Sequence, residues 1–162
     1  VILLSAVSES LIAAGRSWNN GVGVLSLSTG RQDDTLQAMV EKYAEHLANI
    51  GRQDGHAGFN QRYQTLMRQL PDFTNFQEIT TESWPDKNSE EQGAFEAWNS
   101  WRQSPGHWSV ANGECALWGY AMAFCRRNTT WYAVGICADE RGYGAPQQTG
   151  RFLGLMPKRR PD

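Results

Sequence analysis

The stretch LWGYAMAFCRRNTTWYAVGICA, residues 117–138, decides the fold. Residues 117–125 and 130–138 are rich in aromatic and β-branched side chains, and Arg127-Asn128-Thr129 separates them, which reads as a β-hairpin. Upstream the apolar spacing changes from strand-like to helical. Helices come first and strands last, so the chain is expected to be α+β, with helices packed on an antiparallel sheet.

Working back from the hairpin, Trp98 and Trp101 belong to a helix over about 89–103, with Phe95 assigned to the same buried side. Ser89 and Gln92 stand at capping-box spacing, and Pro105-Gly106 is read as its end. Residues 75–83 alternate weakly and suggest an extended segment. A helix over about 60–70 turns Tyr63, Leu66, Met67 and Leu70 inward and stops at Pro71. The clearest helix precedes it: Leu36, Met39, Val40, Tyr43, Leu47 and Ile50 form an apolar stripe, Asp33 or Asp34 caps it, and Gly51 ends it. Residues 6–15 suggest a short helix with Ser8 as cap and Gly15 as stop. Residues 17–30, with several Gly and Ser, read as loop.

Composition narrows the class. With 162 residues, 40% hydrophobic and 20% charged, the chain fits one globular domain with a sizeable core. A net charge of −2 gives no electrostatic case for nucleic acid. The apolar run at residues 1–7 is too short to span a bilayer, and no transmembrane segment is expected. Six of the seven tryptophans fall in the second half, and an aromatic core is the preferred reading over a groove for sugar or lipid. Cys115, Cys125 and Cys137 are an odd set, so one disulfide is open to an exported protein. Asn128-Thr129-Thr130 is an N-glycosylation sequon. No Gly-x-Ser-x-Gly, His-Glu-x-x-His, Walker or dinucleotide motif is present, which disfavours the common serine hydrolases, zincins and nucleotide enzymes.

The chemistry-bearing candidates are histidines. His46 lies at the edge of a helical stripe and reads as a packing residue. His56 sits in Asp54-Gly-His-Ala-Gly58, where small neighbours should leave the imidazole accessible. His107 follows Ser104-Pro-Gly106 at a helix end. Two such imidazoles with a carboxylate could form a metal site or an acid–base pair. Glu78 and Glu82 are the carboxylates nearest in character, embedded among Phe, Ile, Thr and Trp.

Trp101-Arg-Gln-Ser-Pro-Gly-His107 resembles the Trp-x-x-Ser-Pro-Gly-His signature of bacterial CAP domains, the cysteine-rich secretory protein, antigen 5 and pathogenesis-related 1 superfamily. Tyr43–Gly51 leading to His56, then Gly58-Phe-Asn-Gln-Arg62, and the strands around Gly119 and Trp131–Gly135 resemble further pieces in the family's order, over about residues 33–138. The resemblance implies a three-layer α/β/α sandwich: a poorly matched N-terminal segment (1–30), a CAP core (31–140) and a Gly/Pro-rich tail (141–162). It carries His56 and His107 onto the two cleft histidines and suggests a site for zinc or another divalent ion. The family's Gly-Glu-Asn-Ile motif is missing. Glu82 best keeps its spacing from His56, and Glu78, followed by Ile79, is the rival. The second acidic position falls near Ser104 and is empty of acid.

The function implied is an extracellular or surface-associated binding module with a histidine cleft, its ligand a lipid, a glycan or a protein partner. The alternatives are a hydrolase using His56, Glu82 and His107, with or without a metal held by those residues and Glu78, and a structural domain of a larger surface or virion assembly.

Overall fold

The computed structural model describes residues 5–141 and the backbone of residues 151–152. Helix α1 (Glu9–Arg16) is followed by two helical turns, α2 (Trp18–Gly21) and α3 (Leu25–Thr29), by strand β1 (Arg31–Gln32) and by the long helix α4 (Asp34–Ile50). Then come α5 (Phe59–Gln69), β2 (Phe73–Glu82), α6 (Glu90–Arg102), α7 (Pro105–Ala111), β3 (Leu117–Cys125), β4 (Thr130–Glu140) and β5 (Arg151–Phe152).

The sheet has the order β1-β3-β4-β2-β5. Its three long strands are antiparallel, with Leu117 opposite Ala138 and Glu78 opposite Ile136. The two-residue strands β1 and β5 extend it at either side in parallel pairing. Val7 adds a bridge to Met122.

Alternation along the strands splits the core in two. Trp118, Tyr120, Met122, Trp131, Ala133, Cys137 and Ile79 face α1, α6 and α7, and Leu117, Ala121, Ala123, Tyr132, Val134, Ile136 and Phe76 face α4 and α5. Helices therefore cover both faces, as the α/β/α sandwich requires. This is why the strands read as near-continuous apolar runs. On β3, Gly119 lets α4 approach: a Cβ there would lie 2.8 Å from the Leu36–Gln37 backbone.

The helix signals act as expected in two places. The Asp33 side chain accepts from Leu36 N–H, a cap contributing about 1 kcal/mol, and Gly51 ends α4 in the left-handed region at φ 71°. Ser89 likewise accepts from Gln92 N–H at the start of α6.

Three local readings change. Residues 17–30 hold α2 and α3, and Trp18, Val24 and Leu27 are buried in the first core with Leu11 and Ile12 of α1. Phe95 is 57% exposed and rests on the Trp18 ring. It stands one residue off the Ala94, Ala97, Trp98, Trp101 stripe, and one residue is about 100° around a helix. α6 does end ahead of Pro105, at Arg102, but Pro105 also begins a new helix, α7, because proline at the first helical position lacks only an N–H that would have had no acceptor.

The aromatic-core reading holds for Trp98, Trp101 and Trp118, each at most 1% exposed. Cys115 and Cys137 form a disulfide, leaving Cys125 as a buried thiol. The Asn128 side-chain amide donates to Gly51 O and Tyr132 Oη, so the sequon nitrogen serves the fold. The tail beyond Arg141 lies outside the described residues, apart from β5.

Candidate functional site

His56 is placed by the turn between α4 and α5. Its backbone is left-handed, φ 62°, between Gly55 at 68° and Gly58 at 80°. For a non-glycine residue that conformation costs roughly 1–2 kcal/mol, so something must hold it. The imidazole is turned inward, contrary to the accessible ring expected from its small neighbours: the residue is 2% exposed and its side chain fully buried. Nδ1 lies 2.8 Å from Glu78 Oε1.

Glu78 is fully buried on β2, pointing to the α4/α5 side of the sheet. Its charge is met by Arg62 of α5: Nε donates to Oε2 and Nη2 to Oε1, both at 2.7 Å, while Nη1 donates to Ala57 O at 2.7 Å. The guanidinium also lies over the Tyr43 ring, 3.8 Å from its centroid. Tyr43 Oη in turn donates to Asp54, which also takes His46 Nε2 at 3.1 Å. Burial, reinforced by the Asp54 bond, pushes the Tyr43 phenol far above its usual range. Burial pushes the other way at Asp54, but the bonds from Tyr43, Ala57 N–H and His46 win and hold its carboxyl below the ordinary value. His46, read from the sequence as a packing residue, has a half-exposed side chain that bonds Asp54 and stacks on the Tyr43 ring.

These bonds fix a tautomer. A carboxylate only accepts, so His56 Nδ1 carries a proton toward Glu78. In the neutral ring, Nε2 is then the lone-pair nitrogen.

His107 comes from the other layer. It lies in the first turn of α7, which packs on α6, β2 and β4. The residue is 5% exposed, and Nδ1 is 2.7 Å from Ser104 Oγ. Its Nε2 is buried and makes no hydrogen bond among the described residues. Burial lowers the His107 pKa below its usual value, and the charge of His56 lowers it further. The two imidazoles are therefore within electrostatic reach of one another.

Of the two glutamates, Glu78 is the one bonded to His56, although sequence spacing favoured Glu82. Glu82 is half-buried on the same face of β2, opposite Tyr132 and four residues on, about 13 Å along the strand. Sequence reasoning gave no role to Arg62, Tyr43 or Asp54. The usable signal was Arg62 itself, a cation on an amphipathic helix four residues before the inward Leu66, which a buried glutamate would need as partner.

The donor set does not suit a three- or four-ligand metal centre. Both Glu78 oxygens are committed to Arg62 and His56, and Nδ1 of His107 is committed to Ser104. Among the described residues no group of three or more His, Cys, Asp or Glu is arranged to hold an ion. What the arrangement offers is hydrogen bonding and proton transfer at buried imidazoles. A pocket of about 330 Å³ opens beside His56, lined by Gly58, Phe59, Asn60 and Gln61. A wider groove of about 810 Å³ runs between α4 and α5, with Tyr43 and Arg62 in its wall.

Among the described residues no helix is long and apolar enough to cross a membrane. No family model matches the chain, and no curated protein is similar to it. Among solved structures, an outer surface protein of Borrelia burgdorferi superposes with a TM-score of 0.54 at 16% identity, over 82% of this chain and 89% of that one, a likeness of fold.

Proposed function

We propose that the chain is an exported, surface-associated binding module of CAP type, and that the cleft holding His56 and His107 is where it meets its ligand. The observation that carries this reading is His56 locked by Glu78 and Arg62 in one layer, within electrostatic reach of the buried His107 of the other. A bidentate arginine on a fully buried glutamate is expensive to build in the absence of a role, and this one holds a single ring nitrogen in place. The Cys115–Cys137 disulfide supports an oxidising compartment. The similar protein from Borrelia burgdorferi carries the name outer surface protein, which agrees with a surface location for this one.

Export is tested on protein from its native source. Thiols counted under denaturing conditions should number one without reductant, Cys125, and three with it. Protease added to intact cells should remove the protein. Three reactive thiols without reductant, together with full protection from protease, would overturn the reading.

A further inference from the structure

We propose that Ser104 is a nucleophile served by His107, giving the cleft an acyl-transfer activity toward small carboxylic esters. The proposal rests on the cleft described above and not on export.

Ser104 occupies the position before α7, where a serine hydroxyl ordinarily accepts a backbone N–H of the first turn. It makes no such bond. The hydroxyl instead lies 2.7 Å from Nδ1 of His107, at the distance expected of a nucleophile and its base. Ser104 is half-buried, so the pair is reachable from outside.

The direction of that bond follows from the tautomer of His107. With its proton on Nε2, Nδ1 presents a lone pair to Ser104 and the hydroxyl donates. Burial holds the His107 pKa below its usual value, with a further push the same way from His56, so the neutral ring that can take the serine proton is its form at neutral pH.

The step balances without any co-reactant other than water. Ser104 Oγ bonds to the ester carbonyl carbon as its proton moves to His107 Nδ1. The bond from that carbon to the alcohol oxygen breaks, and the departing oxygen takes the proton. The acyl group stays on Ser104 until water attacks it by the same route, releasing the acid and restoring the hydroxyl.

The test uses p-nitrophenyl acetate and the folded protein. Nitrophenolate release and peptide mass spectrometry should show an acetyl group on Ser104. Ser104→Ala should abolish it, and His107→Gln should slow it roughly 100-fold or more. Ser109→Ala, one turn further along α7, should change nothing. Should His107→Gln fail to fold, the site of acetylation in the wild type and the Ser104→Ala rate still decide. Acetyl groups confined to surface lysines, or turnover unchanged in Ser104→Ala, would overturn the proposal while leaving a non-catalytic binding module intact.

Discussion

Replacing Arg62 by methionine keeps most of the side chain's apolar volume and removes only its charge and donors. It strips two 2.7 Å hydrogen bonds from a carboxylate that has no exposed surface, and the arginine itself is only 15% exposed, so solvent screening is slight. Removing one partner of a buried pair typically costs 3–5 kcal/mol, so Arg62→Met should lose about 3–5 kcal/mol. For a domain of this size that is a fall in Tm of roughly 6–20 °C. Urea unfolding followed by tryptophan fluorescence measures it as a shift of midpoint at constant m. Most of the loss comes from the stranded charge of Glu78, which yields a second expectation. The double variant Arg62→Met/Glu78→Gln should be more stable than Arg62→Met alone, because the neutral amide still accepts from His56 Nδ1. A loss below about 1 kcal/mol, the value of an exposed ion pair, or a double variant no better than the single, would refute the reasoning.

Other outcomes follow from the same geometry. The native pKa of His107 lies below its unfolded value near 6.5, so between the two the unfolded chain binds the extra proton. The corresponding stability is fully present above about pH 6.5 and is lost as pH falls toward the native pKa. Urea midpoints across pH 5–8 should show that slope in wild type and a flatter one in His107→Gln. Reduction of Cys115–Cys137, which spans 22 residues, should cost about 3 kcal/mol, read as a lower midpoint in the presence of reductant. Gly119→Ala places a methyl group against the α4 backbone, with a cost of about 1–3 kcal/mol in the same assay. Calorimetric titration with zinc should give no tight saturable site. A one-to-one site lost in His107→Ala would reveal a third ligand.

Much of this fold is local, and what is local was legible. Asp33, the Leu36–Ile50 stripe and Gly51 mark α4 within a residue, because caps and periodicity act over one or two turns. The 117–138 hairpin is just as plain. The misread pieces depended on partners far away in sequence. α2 and α3 form in a Gly/Ser-rich stretch because Trp18, Val24 and Leu27 find the first core, and β1 and β5 are too short to carry any pattern. The site divides in the same way. His56 and His107 stood out by context, but the choice of Glu78 over Glu82 depends on where β2 meets a guanidinium sixteen residues upstream. No periodicity encodes that meeting.

The two cores on either side of the sheet give the proposed cleft a property that neither layer has by itself. His56 is carried by the turn before α5, whose Leu66 belongs to one core, and His107 by α7, whose Val110 and Ala111 belong to the other. The pair is assembled only while both layers stay docked. A ligand touching both rings would therefore act as a rivet across the sheet, and its binding free energy would add to the stability of the whole molecule by mass action. Opening of either layer would release it, so occupancy of the cleft would report that the entire sandwich is intact.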